Sequence, residues 1–564
     1  MGLDELSELI IHYSSYVLPL LAVWLLARCV RSLLREKYEP EMWAYLEASN
    51  GETAAIRHWE CTIGSAKSCD VVVNRESVQK MHAVLIRSDK GQWRLYGING
   101  NDTAAGRRKD DGHGIEIKDG DTLTFSGTKM AFHDLNEKQR AAVDRKRSAP
   151  GRFISPGLTL LILTVFQALL ALQFSASASR GDIMNVTLGF AAVIVTEWFY
   201  YFVMRAIDRL GFEIETLAFF LSTLGVAVVA SSDPEGMLKQ IILLLCGFVF
   251  FLLLGWWLRD LGRTKALRWP VAVMALLFLA LNLAAGDTRN GAGNWLSLGG
   301  FSLQPSEFVK VAYIYVGAAS LDRLFLKRNL FMFIAFSAVC VGALALMGDF
   351  GTALIFFVTF LIISFMRSGS FATIFLAVSG AVLACFLVLT VKPYIAQRFA
   401  TWGHVWDDPF GTGWQQTRAL SAAASGGLVG TGAGKGWLHK IFAADTDMVF
   451  CLVSEELGLV IAMCAMLAII VIALFAVRSA ASGRSSLYVI AACAASSMML
   501  TQLALNVFGS VDILPFTGVT FPFVSKGGSS LIACWGLLAF IKAADTRQRA
   551  SFSVRLSSKD TGEG

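Results

Sequence analysis

The chain is 564 residues long, 55% hydrophobic and only 16% charged, with a mean hydropathy of +0.56. Soluble domains are roughly 45–50% apolar and about 25% charged, so a water-soluble enzyme, a disordered chain and a nucleic-acid-binding protein are excluded as readings of the whole chain. The net charge of +6, from 49 basic and 43 acidic residues, suits the basic loops on the cytoplasmic side of a membrane protein and implies no nucleic-acid partner.

Two changes of composition divide the chain into an anchor, a soluble module and a large membrane body. Residues 9–30 (LIIHYSSYVLPLLAVWLLARCV) are long enough to cross a hydrocarbon core of about 30 Å as one helix. Asp4, Glu5 and Glu8 precede the run, while Arg28, Arg31, Arg35 and Lys37 follow it. The positive-inside rule therefore sets the N-terminus outside and the next segment in the cytoplasm. A cleaved signal peptide would carry its basic residues before the apolar stretch, so residues 1–37 are expected to remain as a transmembrane anchor.

Residues 38–140 read as short alternating strands, among them CDVVV, HAVLIR, QWRLYG, IEIKDGD and TLTFSG, parted by Gly, Asn and Asp turns. That is the pattern of a small cytoplasmic β-sandwich. A basic linker at 141–153 leads into helices expected near 154–174, 186–207, 214–231, 238–258, 269–285, 304–320, 329–347, 351–367, 371–390, 449–476, 485–509 and 524–543. The fold class is thus a polytopic all-α membrane bundle over 154–545, about twelve helices plus the anchor, closed by a cytoplasmic tail at 546–564. Counting from a cytoplasmic residue 150, the short inside loops hold twelve Arg and Lys against three in the short outside loops, Arg180, Lys239 and Arg289, as that orientation requires. The one long loop, 391–448, then lies outside. The ten Cys fall mostly inside apolar runs with no C-x-x-C, so neither a disulfide framework nor a zinc site is indicated.

Polar residues are costly at membrane depth, which draws attention to those at helix ends. Four outward-facing stretches stand out: GDTRNGAGNWLSLGGFSLQPSEFVK (286–310), MGDFGTA (347–353), the long loop with its exit helix, and LPFTGVTFPFVSKGGSS (514–530). They offer Asp349, Asp407, Asp408, Asp445, Asp447, Glu307, Glu455 and Glu456 as carboxylates and Lys310, Arg398 and Lys526 as cations. Such a set suits an anionic substrate whose reaction needs a general base. Each has a plainer reading as well. Asp408 before Pro409 reads as a turn or cap residue, Lys310 as a structural partner of Glu307 at i,i+3, Arg398 as an interfacial anchor, Glu455 and Glu456 as packing groups, and Gly527 to Ser530 as the cap of the last helix. The glycines of SGGLVGTGAGKG lack the G-K-[ST] of a nucleotide loop.

These stretches resemble the SEDS family, the FtsW and RodA class of peptidoglycan polymerases. NWLSLGGFSLQPSEFVK is similar to the family's QPSE-x-x-K stretch and GDFGTA to its PD-x-G-T-A turn. QRFATWGHVWDDPFGTGWQQTRALSAAASGGLVGTGAGKG matches its DP block, DTDMVFCLVSEELG its EE-x-G segment, and LPFTGVTFPFVSKGGSS its closing motif. Five motifs in order, over roughly residues 265–545, are far more specific than one glycine loop. Asn294, Gly348, Trp414, Asp445 and Lys526 depart from the family's Arg, Pro, Tyr, His and Tyr. Five helices precede the NWLSLGG stretch where the family has three, so two look added.

The resemblance implies polymerisation of lipid II, the undecaprenyl-diphosphate-linked disaccharide-pentapeptide, at the outer face of the membrane, with a class B penicillin-binding protein, a transpeptidase, as partner. Asp408 would be catalytic, and Lys310, Arg398, Gln304, Ser306, Glu307, Gln415, Asp349, Asp447, Lys526 and Ser529 would bind substrate. Chemically, a GlcNAc 4-hydroxyl must lose its proton as it attacks the anomeric carbon, and a carboxylate in a hydrogen-bond-poor cleft suits that task. Lys310, Arg398 and Lys526 would meet the charge of the departing lipid diphosphate, with or without a divalent cation such as Mg or Mn.

The soluble stretch resembles a forkhead-associated (FHA) domain in Ile63-Gly64, CDVVV, His82-Ala83 and Asp119-Gly120-Asp121. Its phosphothreonine-binding positions differ: Ser65 stands for Arg, Gln79 for the Ser of S-x-x-H, and NGNDT for NGT. Without the Arg fork no side chain there grips a phosphate in two places, so the module reads as an interaction surface for a cytoplasmic partner, with weak phosphothreonine binding as the alternative. Beside the polymerase reading stand a flippase of the same lipid-linked precursor and a catalytically silent scaffold recruiting partners through the FHA-like module.

Overall fold

The computed structural model describes residues 3–35, 41–67, 69–88, 91–98, 101–110, 114–136, 138–139, 141–143, 154–207, 209, 211–289, 292–298, 301–321, 327–368, 371–391 and 399–547. Arg398, most of the basic linker and the tail after residue 547 lie outside the described residues.

The anchor is one helix, Leu3–Arg35. Pro19 in its interior lacks an N–H, which a membrane helix tolerates when neighbouring groups satisfy the freed backbone. One turn earlier Ser15 Oγ donates to Ile11 O at 2.7 Å, and Gln173 Nε2 of the next membrane helix reaches the same carbonyl at 3.2 Å. At the other end of the anchor Arg28 donates to Thr159 Oγ1 (3.2 Å) and Ser155 O (3.1 Å).

The soluble module is a two-sheet sandwich. One sheet runs in the order Thr53–Ile56, Ala44–Ala48, Thr128–Asp134, Thr122–Phe125, Thr103–Ala105 and Arg108–Lys109. The other runs Val71–Val72, Glu60–Gly64, Ala83–Arg87, Trp93–Gly97 and Ile115–Ile117. Alternate residues of both sheets, including Leu46, Leu85, Leu95, Leu123, Phe125 and Phe132, meet in one core with no exposed surface, as the period of two demands. His82 ties the loops at one end of the sandwich. Its Nε2 lies 3.2 Å from Asp102 O, and its carbonyl accepts from Asn101 Nδ2 at 3.1 Å.

Every helix expected from the apolar runs is present: Pro156–Ser177, Ile183–Ala206, Glu213–Ser232, Met237–Trp257, Arg268–Ala285, Pro305–Leu321, Lys327–Leu346, Phe350–Ser368, Phe371–Val391, Ser486–Ser510 and Gly528–Ala543, with the tenth run in two pieces. Among the described residues nine helices, the anchor included, are long and apolar enough to cross a membrane. The expected single helix at 449–476 is corrected to Val449–Leu457 and Leu459–Ala481, hinged at Gly458 with φ +95°. The 427–430 backbone crosses there. A Cβ on Gly458 would lie 2.4 Å from Leu428 O, and Leu459 and Val460 give their N–H groups to Gly427 O and Leu428 O. A second correction concerns the NWLSLGG stretch, which forms a three-stranded antiparallel sheet, Asp287–Arg289, Ala292–Leu298 and Phe301–Leu303, instead of a plain loop. The last helix begins at Gly528 rather than 524, which leaves Lys526 in the loop before it.

The sandwich is clamped to one end of the bundle through Glu60. Its carboxylate, 8% exposed, accepts from Ser485 Oγ (2.9 Å), Ser486 N (3.0 Å) and Ser486 Oγ (3.1 Å). An anion thus sits at the N-terminus of helix Ser486–Ser510, where orphan N–H groups and the helix dipole favour it. Beside it Trp59 N donates to Arg484 O (2.7 Å), His58 Nδ1 lies 2.6 Å from Gly483 O, and Arg484 Nη2 meets Glu41 Oε1 at 3.1 Å. At the same end Lys542 Nζ bridges Glu215 Oε1 and Gly211 O, both at 2.8 Å, and Arg547 Nη1 reaches Glu213 Oε2 at 3.2 Å. Replacing Glu60 by Ala leaves buried donors without an acceptor, a cost of about 1–3 kcal/mol. Hydrogen exchange at the Ser486 amide is therefore expected to quicken by about ten- to a hundredfold in Glu60→Ala, whereas unchanged protection would show that the clamp carries no stability.

Candidate functional site

Helix Ser486–Ser510 begins against Glu60 and runs roughly 37 Å, so its far end lies across the bundle from the sandwich. The outward-facing polar stretches of the sequence converge there. Lys310, 1% exposed, donates to Glu307 Oε1 at 2.8 Å and to Gln502 Oε1 at 3.3 Å. Gln502 Nε2 passes the chain on to Thr520 Oγ1 (2.8 Å), which lies 2.9 Å from Ser530 Oγ. Three helices and the closing motif are joined by this one network. Gln304 extends it: its N–H reaches Ser529 Oγ at 3.0 Å and its Nε2 stands 3.5 Å from Asp349 Oδ2. Asp349 Oδ1 also accepts from Thr352 N at 3.1 Å, which caps helix Phe350–Ser368. Ser306 Oγ and Glu307 Oε2 are buried beside it with no hydrogen-bond partner among the described residues.

A second group forms around Asn506, whose Nδ2 donates to Asp447 O (3.0 Å) and Val519 O (2.7 Å). The Asp447 carboxylate borders Gly518, where a Cβ would lie 3.1 Å from its Oδ2. Lys526 Nζ sits between Asp445 Oδ2 at 3.0 Å and Asp233 Oδ2 at 3.1 Å. Burial opposes its charge, but the two carboxylates outweigh burial and hold the ammonium above the ordinary lysine value. Glu455 and Glu456 serve the glycine loop. Glu455 accepts from Trp437 N (2.9 Å) and Leu438 N (3.0 Å), Glu456 from Gly434 N (3.0 Å) and Ser231 Oγ (2.5 Å).

The long loop docks on the end of helix Ser486–Ser510. Trp402 Nε1 donates to Ile513 O (3.1 Å), Gly403 N to Asp512 Oδ1 (3.1 Å), and Gln416 Nε2 to Gly509 O (3.1 Å). Gln415 Nε2 holds Phe442 O at 3.0 Å. Asp408 stands exposed on this loop, which corrects the expectation of a cleft poor in hydrogen bonds. Thr412 N (2.8 Å) and Thr412 Oγ1 (3.3 Å) both grip its Oδ2, and Oδ1 is open among the described residues. Asp407 lies outward, 3.4 Å from His404.

The geometry therefore sorts the candidates into two sets. Lys310 and Lys526 are neutralised by carboxylates, Lys310 because a free ammonium enclosed by protein is costly and Lys526 as a half-buried bridge between Asp233 and Asp445, and they hold the floor together. Asp408 and Gln415 belong to the exposed loop above. Serine capping of the last helix is corrected too: its N-cap is Gly527 with no side-chain cap, and both serines face inward partners. Among the described residues no group of three or more His, Cys, Asp or Glu is arranged to hold a metal ion, and Asp233 and Asp445 close on an ammonium. The described residues therefore do not form a metal site. Sequence reasoning missed Arg418, whose guanidinium lies 4.2 Å from the Trp414 ring and 5.6 Å from the Phe410 ring. The spacing W-x-x-x-R on helix Trp414–Gly426 was the available signal.

The model of the FtsW/RodA/SpoVE family, described as a cell cycle protein, matches residues 212–550. The chain belongs to this family, and an FHA domain model matches residues 61–126. Helices Pro156–Ser177 and Ile183–Ala206 precede the family match. The chain is 29% identical over 343 residues to the peptidoglycan glycosyltransferase RodA of Mycobacterium tuberculosis, covering 57% of this chain and 72% of the relative. It is 32% identical over 281 residues to stage V sporulation protein E of Bacillus subtilis, covering 48% and 75%. A solved structure titled as a peptidoglycan synthase complex that coordinates polymerization and crosslinking aligns at a TM-score of 0.48 and 25% identity, over 59% of this chain and 96% of that one. The protein is a multi-pass membrane protein of this family.

Removing one partner of the enclosed pair separates a structural role from a ligand role. Lys310→Met strands Glu307 and is expected to cost about 3–5 kcal/mol, read as a lowered unfolding midpoint in detergent, while Glu307→Gln with Lys310→Met recovers most of it. A single variant of native stability that no longer turns over substrate would instead make Lys310 a substrate ligand.

Proposed function

We propose that the chain is a peptidoglycan glycosyltransferase that polymerises lipid II into glycan strands at the outer face of the cytoplasmic membrane, in cell division or cell-shape maintenance. The observation that carries this reading is the family membership over 212–550, joined to the gathering of its motifs at the bundle end opposite the sandwich. Asp408 is the general base. Thr412 orients its carboxylate through Oδ2, and Oδ1 takes the proton of the acceptor sugar's 4-hydroxyl. The new O4–C1 bond forms as the donor's C1–O bond to diphosphate breaks, and the lipid diphosphate leaves with that electron pair. Arg418, held against Trp414, meets the charge growing on the leaving group, together with Arg398 of the same loop. Lys310, Glu307, Gln304, Ser306, Asp349, Asp447, Lys526 and Ser529 form the floor that keeps this loop in register with the membrane.

The N-terminus lies outside, and the sandwich and C-terminus face the cytoplasm. That orientation puts Asp408 on the side where the acceptor strands grow, and the charge asymmetry of the loops supports it. A class B penicillin-binding protein is the partner that crosslinks the product. The FHA-like module, lacking the Arg fork, takes a cytoplasmic protein partner through its loops around Ser65 and Gln79.

Full-length protein given labelled lipid II, alone and with a transpeptidase partner, is expected to form polymer. Asp408→Asn should lower the rate by about a hundredfold or more at an unchanged unfolding midpoint. Arg418→Met should lower it about tenfold. A native protein that makes no polymer under either condition but moves lipid II across vesicle membranes would sink this reading and leave the transporter in its place.

A further inference from the structure

We propose that the sandwich end of the anchor helix carries a binding site for the head group of an anionic phospholipid. Arg28, Arg31 and Arg35 follow one another at i, i+3 and i+7 on helix Leu3–Arg35, a spacing that sets them on one face. With Trp24, Ala27 and Ile154 they line a single cavity of about 270 Å³. That is several times the roughly 30 Å³ a water molecule takes in the liquid, room for a phosphate and part of its glycerol.

The three arginines differ in what holds them. Arg28 is fixed by its hydrogen bonds to Thr159 Oγ1 and Ser155 O, so the back of the cavity is preorganised. Arg31 and Arg35 are exposed and have no hydrogen bond or ion pair among the described residues. Glu213 lines a smaller adjoining cavity that shares Arg28 and Ile154, but it is engaged by Ser32 Oγ at 2.8 Å and Arg547 at 3.2 Å. It is therefore not the counter-ion of the two free arginines.

Guanidinium groups present paired N–H donors that match phosphate oxygens, and basic pockets beside membrane helices recruit anionic head groups. Trp24, 50% exposed and one turn nearer the apolar part of the helix, gives the aromatic wall found at the level where head groups meet acyl chains. Orientation by the positive-inside rule requires basic residues in the flank but no shared cavity and no single helix face. A net-negative lipid brings its phosphate charge to the three arginines uncompensated, whereas a zwitterionic one brings its own cation into the site.

Full-length protein in neutral detergent is offered dioleoyl phosphatidylglycerol or dioleoyl phosphatidylcholine, and bound lipid is counted by native mass spectrometry. Phosphatidylglycerol is expected to be retained about tenfold better, and Arg31→Gln with Arg35→Gln to lose about tenfold in retention. Ala27→Trp, which fills the cavity and leaves every charge in place, should lose as much. Equal retention of the two lipids, or undiminished phosphatidylglycerol in Ala27→Trp, overturns the proposal. Inorganic phosphate offered alone is expected to shift the unfolding midpoint no more than chloride of equal ionic strength. A phosphate-specific shift without lipid retention assigns the cavity to free phosphate and overturns the lipid assignment.

Discussion

An ion enclosed in a membrane bundle has no water to turn to, and the Lys310–Glu307 pair answers that constraint at the heart of this molecule. The 2.8 Å contact neutralises the ammonium, and Gln502 carries the network on to Thr520 and Ser530. Helices Pro305–Leu321, Ser486–Ser510 and Gly528–Ala543 are thereby fixed to one another near one end. At the opposite end Lys542 with Glu215 and Arg547 with Glu213 do the same work, and Glu60 of the sandwich completes the layer. The bundle is therefore bounded by two polar layers, with one further buried polar group between them where Gln167 Nε2 donates to Glu197 Oε2 and Thr223 Oγ1, both at 3.0 Å. One layer supports the long loop and the other a soluble module.

On the proposed function, this arrangement decides where chemistry can occur. Cations locked into ion pairs inside the bundle are spent on holding helices together. The open side chains belong to the loop above them, where Asp408 keeps one carboxylate oxygen free and Arg418 lies flat on Trp414. That loop is itself braced on the turn after helix Ser486–Ser510, through Trp402, Gly403 and Gln416. Because Glu60 caps the other end of that same helix, the sandwich and the loop share one rigid element.

The membrane helices were legible in the sequence because their apolar runs have no other stable use, and the sandwich because its strands alternate and its turns carry Gly, Asn and Asp. The five collinear motifs gather at one end of the bundle. What escaped is tertiary in origin. The run through VFCLVSEELGLVIAM is continuously apolar apart from its two acids, and only the crossing of residues 427–430 makes Gly458 a hinge. The i,i+3 spacing exposed Glu307 as a partner for Lys310, but Gln502 lies 192 positions away. Glu455 and Glu456 read as ambiguous acids until the loop N–H groups at 434, 437 and 438 are seen pointing at them. Glu60 lies at the start of strand Glu60–Gly64, and nothing local marks it as the cap of a helix more than four hundred residues later.

The most direct test of the division between a structural floor and the proposed catalytic loop is photoaffinity mapping. A lipid II analogue carrying a photoreactive group next to its diphosphate is crosslinked to the full-length protein in nanodiscs, and the labelled peptides are identified by mass spectrometry. The account predicts label in residues 399–426, around Phe410, Trp414 and Arg418, with little in helix Pro305–Leu321. Label centred on the peptide that holds Glu307 and Lys310, and absent from the loop, would contradict it.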